Sequence, residues 1–161
     1  MKRNEQPGTE WFDQPDPTNL TQTGEVGLRF ECTQCGKCCT GPTGFVMFTE
    51  VEAKAMAKDV GVTTDVFMER YTRNTIVGRS LKENKTSHGY DCVFLDRDEQ
   101  GKALCTIYNS RPEQCKTWPF WRSNLKTRKD WEGIEKGCPG VNEGPLFSTT
   151  HIRLTRDRVD I

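Results

Sequence analysis

Long apolar runs, histidine and net charge are what this 161-residue chain has least of. No window approaches the ~20 consecutive apolar residues of a membrane span, so no membrane helix is expected. Twenty-three basic residues offset 23 acidic ones, and a balance of zero steers the chain to neither nucleic acid nor an acidic membrane. Apolar residues are 34% of the sequence and 14 glycines add to them, which falls short of the usual roughly 45–50%. A chain short of core material is one that cross-links or metal can hold together. The amino terminus MKRNEQPGTEWFDQPDPTN carries two early basic residues with no apolar run behind them, neither a secretory signal nor an anchor. The expected compartment is the cytoplasm, where thiols stay reduced and disulfides are rare.

Residues 1–27 hold Pro7, Pro15 and Pro17 among polar residues without periodicity, and read as an extended or disordered arm. A single domain is expected over residues 28–161. LRFE (28–31) alternates as a short strand, and FVMF (45–48) reads as a second. TEVEAKAMAKD opens with Thr49 and places Glu52 three residues on, the capping-box pattern, with Gly61 as the stop. Val51, Ala55 and Met56 are assigned to its inner face. A further helix starts at Thr63 or Thr64 and turns Phe67, Met68 and Tyr71 inward.

The polar stretch 76–89 reads as a loop. YDCVFL and ALCTIY flank the turn-rich DRDEQGK as one β-hairpin, with Cys92 and Cys105 in its arms. Ser110 and Glu113 repeat the capping box, so a short helix is expected to carry Cys115. TWPFWRSNLKTRKDW reads as a solvated loop whose Trp118, Phe120 and Trp121 shield a metal site, and HIRLT as a last strand. The fold class is α+β: a small metal-organised domain with short helices, a β-hairpin and cysteine-bearing loops.

What the chain does have is eight cysteines: Cys32, Cys35, Cys38, Cys39, Cys92, Cys105, Cys115 and Cys138. Four fall within CTQCGKCC. Two-residue gaps turn a loop back on itself, so Cys32, Cys35 and Cys38 can aim three thiolates at one centre, with Gly36 supplying the positive φ such turns require. A redox pair at Cys32–Cys35 would call for a thioredoxin-like βαβ context that the chain lacks. Metal is the remaining chemistry, and two kinds compete. Structural zinc takes four ligands, commonly from two C-x2-C pairs. An iron–sulfur cube takes four cysteines from C-x2-C-x2-C and a remote Cys-Pro, the layout of Cys32, Cys35, Cys38 and Cys138–Pro139. Adjacent side chains diverge, so Cys39 is expected to begin a second set with Cys92, Cys105 and Cys115. His88 and His151 read as exposed residues rather than ligands.

CTQCGKCC, then CVFLD, CTIYNSRPEQCKTWPF and GCPG, together resemble the CxxCxxCC cysteine-cluster family, whose members are described as zinc- or iron-chelating. The resemblance spans roughly residues 28–142 and implies that the cysteines are metal ligands. The family is distantly similar to the cysteine-rich region of flagellin lysine-N-methylases, enzymes with an iron–sulfur cluster that use S-adenosylmethionine. This chain is shorter and has no glycine-rich nucleotide loop. The expected cofactor is therefore an iron–sulfur cluster or zinc, and catalysis stays open. Three function classes remain: a redox or partner protein built on iron–sulfur, a zinc-stabilised interaction module, and an accessory or catalytic domain of a methyltransferase-type enzyme. A protein partner is left open; membrane and nucleic acid are not expected.

Overall fold

The computed structural model describes residues 10–14 and 26–161. The elements run in the order β1 (Gly27–Phe30), α1 (Glu50–Val60), α2 (Thr64–Tyr71), β2 (Thr72–Thr75), β3 (Gly78–Leu81), β4 (Glu83–Thr86) and β5 (Gly89–Cys92). There follow β6 (Leu95–Arg97), β7 (Ala103–Cys105), α3 (Glu113–Lys116), α4 (Arg122–Leu125), α5 (Arg128–Glu135), β8 (Val141–Ser148) and α6 (Thr149–Arg156). Short helices and small antiparallel sheets make this an α+β protein. Its contacts divide into two units, Gln34–Trp118 and Met1–Thr33 with Pro119–Ile161.

The Gln34–Trp118 unit is built on α1. Thr49 Oγ1 accepts the Glu52 N–H while the Glu52 carboxylate accepts the Thr49 N–H at 2.6 Å, so both ends of the capping box are closed. Gly61 ends the helix in the left-handed conformation at φ 79°. The buried face is Ala53, Met56 and Ala57, not the Val51–Ala55–Met56 face assigned above; Val51 is 75% exposed. The inner stripe therefore keeps Met56 but takes Ala53 and Ala57 in place of the exposed Val51 and Ala55, and these small alanines let α1 approach its neighbours closely. Phe67 from α2, Leu81 from β3, Phe94 and Ile107 complete the core, with Cys92 and Cys105 packed at its margin. Phe67 and Phe94 stack with ring centroids 6.0 Å apart.

Three hairpins carry the rest of this unit: β2–β3, β4–β5 and β6–β7. The stretch 76–89, expected as a loop, contains β3 and β4. Its strands are mostly polar and half-exposed, so no alternation marks them, and the turns are made by Gly78 and Gly89 at φ 124° and 118°. The expected hairpin is present in part: Leu95 pairs with Cys105 and Arg97 with Ala103, whereas Cys92 belongs to the preceding hairpin, opposite Glu83. FVMF forms only an isolated bridge, Met47 to Ser80. Ser110 does not cap α3. Pro112 holds that position, and the Ser110 hydroxyl donates to Asp59 at 2.7 Å.

The other unit pairs β1 antiparallel to β8, with Leu28 opposite Phe147 and a bulge between Arg29 and Phe30. HIRLT is helix, not strand. Ser148 Oγ accepts the His151 N–H to start α6, and Ile152 and Thr155, three apart, form its buried face. TWPFWRSNLKTRKDW is likewise not a loop: it contains α4 and the first turn of α5. Phe120 lies in an aromatic cluster, stacked on Trp131 at 5.9 Å and edge-on to Phe147 at 5.3 Å. Of the arm expected over 1–27, residues 1–9 and 15–25 lie outside the described residues. Residues 11–13 form a 3-10 turn that buries Phe12 completely, its Trp11 Nε1 donating to the Leu125 carbonyl at 2.8 Å. Glu10 and Asp13 on this turn pair with Arg153 of α6, and Glu10 also with Arg156.

Candidate metal centre

The CTQCGKCC loop is laid against two hairpins by its backbone. The Gln34 carbonyl accepts the Ala103 N–H of β7 at 2.9 Å, and the Cys39 carbonyl accepts the Cys92 N–H of β5 at 2.8 Å. Gly41 continues the second contact by accepting from Tyr90 at 2.8 Å. Between these anchors the Gly36 carbonyl takes the Cys39 N–H at 2.9 Å, closing a turn. Gly36 has φ 76°, and a Cβ there would come within 2.8 Å of the Ala103 Cβ. Glycine is required for both conformation and approach.

This arrangement brings Cys35, Cys38 and Cys39 beside the ends of β5 and β7, where Cys92 and Cys105 stand. Cys115 enters from α3, which is fixed to α1 and to the segment after the loop. Glu52, having capped α1, also accepts the Glu113 N–H at 2.6 Å. The buried Gln114 accepts from the Met47 N–H and donates to the Phe45 carbonyl, both at 2.8 Å. Nothing in the sequence distinguishes these two positioning residues except that Gln114 precedes a cysteine and Glu52 belongs to a cap.

The thiols feel one another. Burial, first, and then the charges of Cys92, Cys38 and Cys105 push Cys115 up to about 12. Burial likewise pushes Cys92 up to about 11, with Cys105, Glu83 and Cys38 adding to it. Cys105 is raised by burial and by Cys38. Cys38 is raised most, chiefly by its hydrogen bond with Cys39, whose sulfur lies 3.6 Å away, then by burial. Two features oppose these shifts. The Phe94 N–H hydrogen-bonds the Cys92 sulfur and the Ile107 N–H the Cys105 sulfur, each from two residues on. Arg111 lowers Cys38, Cys105 and Cys115.

Cys38 is the loop thiol whose charge acts on Cys92, Cys105 and Cys115, the set to which the sequence reading assigned Cys39. The expected divergence of the adjacent pair is also absent, because the Gly36–Cys39 turn faces both side chains the same way. Cys32 and Cys138 lie in the other unit, at one end of its sheet. The Glu31 N–H donates to the Gly140 carbonyl at 3.0 Å, next to both. Cys32 is exposed and Cys138 buried. His88 is exposed in the β4–β5 turn, and His151 is exposed on α6, its ring 4.9 Å from Phe147. Among the described residues no three His, Cys, Asp or Glu side chains already meet in a ligating arrangement. What the fold brings together is the backbone that carries the thiols.

The donor chemistry nevertheless fits a soft cation. Burial and the charges of neighbouring thiols hold Cys92, Cys105 and Cys115 protonated, which a bound cation would reverse, and N–H donors aimed at two of the sulfurs favour their thiolate form.

Small α+β elements that gather thiols from a loop, two strand ends and a helix define a cysteine-cluster protein. Residues 31–139 match CxxCxxCC, described as "Putative zinc- or iron-chelating domain", and the chain belongs to that family. No solved structure matches it. Among the described residues no helix is long and apolar enough to cross a membrane.

Proposed function

We propose that the chain is a structural metal-binding module in which Cys38, Cys92, Cys105 and Cys115 hold one zinc or iron ion, acting in the reducing cytoplasm as a surface for a protein partner. The observation that carries this reading is the repeated geometry at Cys92 and Cys105. Each ends a strand, each sulfur accepts the N–H two residues on, and each lies beside the loop that bears Cys38. Four thiolates fill the coordination of a tetrahedral ion, so a metal bound there supplies cross-linking and offers no open position for water.

The four thiols come from four separate elements, and the C-x2-C-x2-C run contributes one of them. That favours a single ion over a cube drawing three ligands from the run. An iron–sulfur cluster with a redox role is the second reading. It is favoured by the position of Cys138, the remote Cys-Pro cysteine, at the same sheet end as Cys32.

Anaerobic purification with metal analysis and a visible spectrum separates the two. Colourless protein with one zinc, or iron without sulfide, supports the single ion. Brown protein with acid-labile sulfide sinks it in favour of the cluster.

A further inference from the structure

We propose that Asp91 and Arg97 are the positioning pair of this centre, an ion pair that sets where the cysteine turn and two hairpins meet. The inference rests on the four-thiolate reading, in which neither residue is a ligand. Asp91 precedes Cys92 in β5, and Arg97 lies in β6, whose Leu95 pairs with Cys105. The Cys39 carbonyl accepts from Cys92 and the Gly41 carbonyl from Tyr90, so Thr40 faces Asp91 across this pairing. The Thr40 hydroxyl donates to Asp91 Oδ1. Arg97 Nη2 stands 3.5 and 3.4 Å from the two oxygens of the same carboxylate. A side chain on Gly36 would come within 3.1 Å of Arg97 Nη1. One ion pair thus reaches both sides of the turn that carries Cys38 and Cys39: Gly36 through Arg97, and Thr40 through Asp91.

Stability alone does not call for such a pair. Asp91 is 7% exposed, and a buried ion pair is often no better for stability than apolar residues of the same volume. Its charge also runs against the chemistry. Four thiolates around a divalent ion leave two negative charges over, and a carboxylate beside Cys92 adds to them unless a cation offsets it. Arg97 is that cation. What the pair supplies is direction: a carboxylate shared between a hydroxyl on the turn and a guanidinium on β6 fixes a register that apolar packing leaves loose.

The test is chelator competition for zinc on the full-length protein, with urea unfolding of each metal-free variant alongside. Thr40→Val exchanges only the hydroxyl for a methyl and is expected to weaken zinc about tenfold. Thr40→Ser keeps the hydroxyl and is expected to stay within about threefold of the parent. Asp91→Asn is expected to weaken zinc about tenfold or more. The sign decides here, because removing a negative charge beside thiolates would by electrostatics alone tighten zinc. Tighter or parental binding in Asp91→Asn, or equal losses in the two Thr40 variants, overturns the proposal. Lower urea stability with unchanged zinc affinity marks a purely structural pair and overturns it too. Should Asp91→Asn fail to fold, the two Thr40 variants decide alone. A parent that binds no zinc overturns the four-thiolate reading and this inference with it, whereas a metallated parent with indifferent variants overturns this inference alone.

Discussion

The sulfurs of Cys38 and Cys39 lie 3.6 Å apart on one side of a turn closed by Gly36. Zinc–sulfur bonds of about 2.3 Å give a tetrahedron with an edge of about 3.8 Å, so distance alone would let the pair share an ion. The charge field discriminates between them: Cys38 acts on Cys92, Cys105 and Cys115, and the hydrogen bond to Cys39 serves mainly to keep Cys38 protonated in the metal-free protein. Cys38→Ser is therefore expected to lose stoichiometric metal, and Cys39→Ser to retain it. Metal analysis after gel filtration checks this, and the reverse pattern would put Cys39 in the centre.

Proton linkage gives the second expectation. In the metal-free, reduced protein Cys92 and Cys115 stand at about 11 and about 12, above the ordinary thiol value of 9.0. A pKa raised by folding leaves stability intact while both states are protonated and removes it once the unfolded state ionises more readily. Stability should be flat up to about pH 9 and fall steadily as pH rises through 11 and 12. Metal reverses the sign, because ligation requires the thiolates, so zinc uptake releases protons and weakens on acidification. Urea unfolding of the metal-free protein across this range is the measurement, and stability still rising at about pH 10 would contradict it.

Gly36 and Gly101 separate conformational strain from close approach. Both have positive φ, 76° and 79°, but a Cβ at Gly101 meets nothing within 4 Å, whereas one at Gly36 strikes Ala103. Gly101→Ala should cost about 1–2 kcal/mol from the left-handed backbone alone. Gly36→Ala should cost about 2–4 kcal/mol, because overpacking adds to the same strain. Gly36→Ala should also weaken metal binding by pushing the cysteine loop off β7. Chemical unfolding of both variants gives the comparison, and equal losses would mean that the loop does not need its contact with Ala103.

How much of this was readable beforehand depended on whether a residue's signal is local. The α1 cap at Thr49–Glu52, the stop at Gly61 and the inward Phe67 are set by neighbours a few positions away, and the sequence pattern showed them. β3 and β4 were invisible because a half-exposed hairpin strand such as Glu83–Thr86 has no apolar alternation, and its pairing is imposed by Gly78 and Gly89 at the turns. HIRLT misled because Ile152 and Leu154 alternate, while Ser148, six residues before Leu154, supplies the cap that makes the segment helical. At the candidate site the cysteines themselves were legible. Their grouping was not, since it depends on the Cys39–Cys92 and Gln34–Ala103 hydrogen bonds across more than fifty residues. The second contact of Glu52, to Glu113, and those of Gln114 were hidden for the same reason: these partners lie more than sixty residues distant.

The final expectation concerns what the metal does for the fold. The core of the Gln34–Trp118 unit consists of seven buried residues, two of them alanine, with Cys92 and Cys105 at its edge. Three two-stranded hairpins surround it, and an isolated hairpin is at best marginally stable in water. A metal joining the cysteine loop, the ends of β5 and β7, and α3 would tie the parts that apolar burial holds least firmly. At a thousandfold excess over its dissociation constant a bound ion stabilises by about 4 kcal/mol. For a chain of this length that corresponds to a fall in Tm of about 8–16 °C when the metal is removed. Scanning calorimetry with and without a chelator, under reducing conditions, measures the shift, and amide exchange should accelerate first in β4 to β7. An unchanged Tm after verified metal removal would show that the cysteine cluster does not hold the fold together, and the structural role proposed for it would fail.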